Sequence, residues 1–197
     1  MRTLYDGVNS LAAGIAKDFP AAQMIAGYVT GQYAWTAAEW ALFPRAVHVT
    51  ICTSAHFNVG DVLDVEKGDA SPDQAHGWIA MRKANGLYRP TVYCSLNVVP
   101  AVRAATGAFI LGRDYDIWVA DWTGVPLIPP CPGTPAARFA ACQYASDARK
   151  DTSVVGDDGW PHRTPPGPPP PPPAVPHLTA FVATAHYSDG TAKTVQL

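Results

Sequence analysis

Asp61-Val62-Leu63-Asp64-Val65-Glu66 decides how this chain is read. Alternation along a β-strand places Val62, Asp64 and Glu66 on one face and Leu63 and Val65 on the other. The segment therefore packs one side and carries two acids on the opposite side. Six further β-rich runs share its character: Thr3 to Asp6, Met24 to Val29, Ala46 to Cys52, Thr91 to Ser95, Asp116 to Asp121 and Ala140 to Tyr144, with Val154-Val155 as the trace of a final strand. Helical stretches lie between most of them, and strands alternating with crossovers predict a parallel sheet.

The helix signals are local and physical. Ser71-Pro72-Asp73-Gln74 combines an N-cap serine, a proline at the first helical position and a glutamine closing a capping box. Ala75, Trp78, Ile79 and Arg82 then share one face, and Gly86 stops the helix. Thr36-Ala37-Ala38-Glu39 repeats the capping box, with Pro44 as terminator. Leu11, Ala12, Ile15, Ala16 and Phe19 form the stripe of a first helix closed by Pro20. Between Cys52 and Asp61, however, the connection is shorter than the roughly 10–12 residues a crossover needs. The expected fold is thus α/β, a (β/α)8-type TIM barrel that is irregular or incomplete. A doubly wound open sheet is the competing architecture, but no Gly-rich phosphate turn follows the first strand, so nucleotide use has no support.

Half of the 20 prolines fall between Pro161 and Pro176, and the run Pro168 to Pro173 dictates extended polyproline II. Residues 161–176 read as a Pro-rich linker that ends a barrel domain of residues 1–160. Residues 177–197 alternate apolar and polar positions around Ser188-Asp189-Gly190, the signature of a short C-terminal β-hairpin. Self-association and docking are the roles open to such a tail, including addition of a strand to a partner sheet.

Composition narrows the function classes. The chain has 197 residues, 48% hydrophobic and 15% charged, with a formal net charge of −2. It has the makings of a packed core and lacks the basic footprint of a nucleic-acid binder. No stretch reaches the roughly 20 apolar residues of a membrane span, and the N-terminus has no apolar signal-peptide region. The expectation at this point is a soluble chain that is not exported by the usual signal. Cys52, Cys94, Cys131 and Cys142 show no metal-ligand spacing. They read as buried thiols, with a Cys131 to Cys142 bridge across the Pro-rich loop between them as the alternative.

Residues i and i+2 of a strand are about 6.6 Å apart, within the roughly 5–9.5 Å that two carboxylates need to address one glycosidic bond. Held together, like charges push their proton affinities apart, so one carboxyl stays protonated while the other ionises. Other strand ends carry complementary groups: Asp6 on the first, Tyr93 on the fifth, Trp118 and Asp121-Trp122 on the sixth, and Gln143 on the seventh. Barrel sites are assembled at these C-terminal ends. Asp121 is the ambiguous member, because alternation turns it away from Trp118 and Trp122. His48, His56 and His76 have no partnered spacing and read as structural or exposed, and Trp35, Trp40 and Trp78 sit on helical patterns that favour core packing.

Tyr5-Asp6, Leu63-Asp64-Val65-Glu66, Val92-Tyr93-Cys94-Ser95, Ile117-Trp118-Val119-Ala120 and Cys142-Gln143-Tyr144 followed by Lys150-Asp151 resemble, in that order, the family 25 glycoside hydrolases, lysozymes that cleave peptidoglycan. The likeness covers about residues 3 to 160 and extends to the glycoside-hydrolase-like barrel domains of actinobacterial and phage proteins. It implies a lysozyme-like, endolysin-type glycosidase acting on the cell wall, with a polysaccharide substrate and no metal or cofactor. It also implies the roles: Glu66 protonates the leaving oxygen, and Asp64 orients the 2-acetamido group or stabilises developing positive charge. Asp6 and Asp151 line the −1 subsite, and Tyr93, Trp118 and Gln143 contact sugar. The sequence departs from the family at Gly7-Val8-Asn9-Ser10, and only 58 positions separate Asp6 from Asp64. The shortened loops predict a shallow groove, which keeps open a non-catalytic glycan-binding or virion structural module on the same barrel.

Overall fold

The computed structural model describes residues 1–133 and 137–165 and two strands beyond them. Eight strands close into a barrel in sequence order: β1 (Arg2–Asp6), β2 (Met24–Tyr28), β3 (Val47–Cys52), β4 (Val62–Asp64), β5 (Thr91–Ser95), β6 (Asp116–Ala120), β7 (Ala141–Asp147) and β8 (Lys150–Val155). The first seven run parallel to their neighbours, while β8 is antiparallel to both β7 and β1. Asp147 pairs with Lys150, so only a tight turn joins β7 to β8, and so short a link can reverse the chain but cannot cross it over.

The helical layer is thin. Four short α-helices occur among the described residues: α1 (Ala12–Asp18), α2 (Ala37–Trp40), α3 (Ala75–Ala84) and α4 (Val99–Ala105). The fold is therefore an eight-stranded closed barrel with few helices, mixed α/β, and not a full (β/α)8 TIM barrel. The Cys52 to Asp61 connection carries no helix, as its length requires, and β4 ends at Asp64, two residues earlier than strand periodicity suggests. Capping proceeds as the local chemistry dictates. Glu39 Oε2 accepts from the Thr36 backbone at 2.6 Å, and Gln74 Oε1 accepts from the Ser71 backbone at 3.0 Å.

Strand alternation divides the core. Leu4, Met24, Ala26, Val49, Ile51, Val62, Trp118, Ala141 and Val155 fill the barrel interior, with Trp160 closing it. Leu63, Val65, Val92, Cys94, Ile117 and Val119 point the other way and pack against Trp78, Ile79, Val99 and Val102 of α3 and α4. Ala12, Ile15, Ile25, Trp35 and Phe43 form a third cluster under α1 and α2. All four cysteines are buried free thiols, so Cys131 and Cys142 are not bridged. His48 is structural, with Nε2 at 2.8 Å from the Phe43 carbonyl. No helix among the described residues is long and apolar enough to cross a membrane.

Gly27 has a steric reason to be glycine, since a Cβ there would lie 2.6 Å from the Trp35 ring. That ring is fixed by its Nε1 donating to the Gly7 carbonyl at 3.0 Å. Gly27→Ala is expected to cost about 1–3 kcal/mol of stability through overpacking, read as a lower denaturation midpoint with an unchanged denaturant slope.

Met1–Pro165 and Pro166–Leu197 are separate compact units. In the second, Val182–His186 (β9) pairs antiparallel with Ala192–Gln196 (β10). The polyproline run Pro168 to Pro173 and the turn Ser188-Asp189-Gly190 lie outside the described residues.

Candidate active site

A hollow of about 100 Å³ opens at the C-terminal ends of the parallel strands. Inward alternation supplies its walls: Asp6 from β1, Tyr28 from β2, Ile51 from β3, Asp64 from β4, Tyr93 from β5, Trp118 from β6 and Gln143 from β7. Asp151 joins them because β8 runs backwards, which brings its first residues to the same rim and sets Asp151 in register with Asp6. Glu66 and Trp122 complete the mouth, each two positions beyond the inward-facing end of its strand.

Seven of the eight residues singled out from the sequence thus meet in one place: Asp6, Asp64, Glu66, Tyr93, Trp118, Gln143 and Asp151. Asp121 does not line the hollow. The alternation of Trp118, Ala120 and Trp122 continues past the strand and turns Asp121 to the outer side, beside Cys142, whose thiol it helps push up to about 11 after burial has raised it. Sequence reading noted Trp122 at the end of the sixth strand and missed Tyr28 and Ile51 as lining residues, although both were legible in the same period of two: Met24, Ala26 and Tyr28 share one face, as do Val49 and Ile51.

The two acids of β4 and its following turn occupy different media. Asp64 is 2% exposed, and its Oδ2 accepts from the Tyr28 hydroxyl at 3.3 Å. Glu66 is exposed at the rim. Burial, then Glu66 and Asp69, push Asp64 up to about 8, with the Tyr28 hydroxyl offsetting part of the rise. Glu66 is also raised, by burial of part of its side chain and by Asp69 and Asp151, and the nearby Tyr93 hydroxyl works against this. Burial first, then Asp151, Asp64 and Glu66, hold Asp6 well above the usual carboxylate range. Asp151 is raised by burial as well, with Ser146 and Gln143 opposing. Tyr93 donates its hydroxyl to Gln143, and Trp118 spends its Nε1 on Ser153 at 3.0 Å, so these side chains hold a fixed wall.

Removing the Tyr28 donor isolates one contribution. Because that bond favours ionised Asp64, Tyr28→Phe is expected to raise the Asp64 titration further, by up to about one pH unit, or ~1.4 kcal/mol, observable by carboxyl-carbon NMR.

No family model matches the chain, and no curated protein matches it. Among solved structures, the virulence factor GHIP of Streptococcus pneumoniae, described as a glycosyl hydrolase 25 participating in host cell invasion, superposes with a TM-score of 0.50. The match covers 79% of this chain and 87% of that one at 11% identity. The barrel is distantly of the glycosyl hydrolase 25 fold. A Tat-secreted protein of Mycobacterium tuberculosis, solved in complex with HEPES, covers 79% of this chain and 96% of its own at 13% identity, with a TM-score of 0.47. At these identities the glycosyl hydrolase 25 likeness is one of fold, and chemistry has to be argued from the hollow itself.

A larger cavity of about 690 Å³ lies at the other end of this glycosyl hydrolase 25-like barrel, near the starts of β6 and β7. Within it, Arg89 reaches Asp116 at 3.1 Å and Asp157 at 3.0 Å, so acids and a cation are paired there. The smaller hollow, where acids are gathered without cations, is the better place for acid–base chemistry.

Proposed function

We propose that the chain is a lysozyme-like glycosidase that hydrolyses the glycan strands of bacterial cell-wall peptidoglycan with retention. The observation that carries this reading is the meeting of four carboxyls at one barrel mouth, with Asp64 buried and Glu66 at the rim. Glu66 is placed to protonate the leaving oxygen, since it reaches solvent and its raised proton affinity favours the acid form. Asp64, deeper in the hollow and pushed up to about 8, keeps its proton near neutral pH, faces the anomeric side and orients the 2-substituent. Asp6 and Asp151 accept from sugar hydroxyls. Trp118 is too enclosed to be more than a wall, whereas Trp122, 54% exposed at the mouth, offers a face on which a pyranose ring can stack. A phage or actinobacterial endolysin, delivered to the wall after release, is the setting this activity fits.

A zymogram on purified cell walls tests the reading. The parent chain is expected to clear the walls, and Glu66→Gln to lower the rate by about 10²–10⁴-fold, the usual contribution of a positioned general acid. One observation favours a second reading, a non-catalytic glycan-binding or phage structural module. The hollow of about 100 Å³ is well below the roughly 300–1,000 Å³ of sites that enclose their ligands. Retention of the chain on cell walls without clearing would decide for that module.

A further inference from the structure

Four carboxyls line the hollow, Asp6, Asp64, Glu66 and Asp151, and they are unequally equipped to carry charge. Asp6 and Asp64 are 6% and 2% exposed, and Asp6 Oδ2 and Asp64 Oδ1 are buried with no hydrogen-bond partner. An oxygen buried without a donor is a costly place for negative charge, and both groups keep their protons at neutral pH. Asp151 has what they lack. It is half-buried at the rim, opposite Ser146 in the β7–β8 pairing, with Gln143 beside it in the wall. Gln143 accepts the Tyr93 hydroxyl on its Oε1, which leaves its amide nitrogen as the end that donates. Burial raises Asp151 most, but the Ser146 and Gln143 side chains and the charge of Lys150 favour its ionised form, with Asp147 opposing. Burial also comes first in keeping protons on Asp6 and Glu66, and Asp151 adds to both, as a group that ionises before them does.

We propose that Asp151 is the anion of this site, the carboxylate that faces positive charge developing on a bound sugar, while Asp6 and Asp64 serve as neutral neighbours. The inference deepens the glycosidase reading and rests on it for placing an anomeric carbon at the mouth. Its structural basis is the one antiparallel strand, since β8 brings its first residues to the rim where the parallel strands bring their last. In the closed ring β8 stands four strands from β4, so Asp151 and Glu66 approach the hollow from opposite sides. As the bond between the anomeric carbon and the leaving oxygen breaks, its electron pair goes to that oxygen, which takes the Glu66 proton. The positive charge left on the carbon faces the Asp151 carboxylate. Water then gives its hydroxyl to the carbon and its proton back to Glu66.

Carboxyl-carbon NMR over a pH series, assigned residue by residue on the full parent chain, reads where the charge sits, and wall clearing reads its use. Asp151 is expected to lose its proton before Asp6 and Asp64. Asp151→Asn is expected to bring the Asp6 titration down by about half a pH unit or more and to lower clearing at least about 100-fold. Asp151→Ala, which opens room for a small anion, is expected to regain part of that loss with sodium formate. Titration of Asp151 above Asp6 or Asp64, an unmoved Asp6 in Asp151→Asn, or no recovery with formate in a folded Asp151→Ala overturns the proposal. The order of titration is read on the parent chain and stands where a variant folds poorly. A parent that clears no walls ends the hydrolase reading, and the titration order still decides which acid is charged; undiminished clearing by Asp151→Asn ends this inference and leaves that reading standing.

Discussion

Trp160→Ala is expected to be the most damaging single substitution in the barrel, costing about 3–5 kcal/mol, the usual range for emptying a large buried aromatic site. Trp160 is 1% exposed and packs among the interior residues. Its Nε1 donates to Thr91 Oγ1 at 2.9 Å, and its ring meets Trp118 edge-on at 5.8 Å. Trp118 in turn meets Tyr93 at 4.9 Å, so three rings link the closed end of the barrel to the wall of the hollow. Alanine would leave a cavity and strand the Thr91 hydroxyl. The flanking contacts fix the segment against collapse into that space: Arg2 donates to the Asp157 and Trp160 carbonyls at 2.8 and 3.0 Å, and Arg163 bonds Asp61 at 2.6 Å. Denaturant unfolding should show a lower midpoint with the same slope.

Asp64→Asn is expected to move in the other direction, making the protein more stable while abolishing clearing of cell walls. In the unfolded chain Asp64 is an ordinary carboxyl that titrates near 3.8, and in the folded chain burial, with Glu66 and Asp69 nearby, pushes it to about 8. Between those values the folded state binds more protons than the unfolded one, so its stability is greatest below the lower value and falls as pH rises towards the upper. Asp6, Glu66 and Asp151 are raised too and add to the same slope. Asp147, held at about 2 by Lys150 and the Arg149 backbone, contributes with the opposite sign, and its share is lost only on strong acidification. Asparagine cannot ionise. Its substitution should flatten the fall between about pH 4 and pH 8 and leave the variant more stable by about 1–4 kcal/mol at the alkaline end, the scale on which neutral replacements of buried charge stabilise. Thermal unfolding across a pH series measures both effects. Acids retained at a stability cost are what a site kept for function predicts.

Much of this arrangement was written in the period of two. Seven of the strands follow from apolar alternation, and alternation in Val62 to Glu66 separates the acids from Leu63 and Val65, which pack on the helices. Both capping boxes form where Thr36 and Ser71 announce them. The rest is hidden for identifiable reasons. β8 shows only Val154-Val155 as apolar, because Asp151 faces the hollow and Ser153 bonds Trp118, so function and polar satisfaction occupy its inward positions. α4 is masked by Pro100 in its first turn. The thin helical layer, and so the departure from a full (β/α)8 barrel, follows from connections too short to build crossovers. Trp160 gave no signal as an interior residue, since it stands beside the proline-rich run rather than in a strand. Asp121 stood as the ambiguous acid, drawn towards the site by its place at a strand end and away from it by alternation, and it follows the alternation.

The account stands on a buried acid that keeps its proton at neutral pH beside a rim acid that reaches solvent. Carboxyl-carbon NMR over a pH series, on the parent chain and on Asp64→Asn, reads this directly. One carboxyl is expected to titrate near 8 and to vanish from the spectrum of the variant. If every Asp and Glu carbon instead titrates within the ordinary range below about pH 5, the hollow holds no retained proton and the proposed acid pair is wrong.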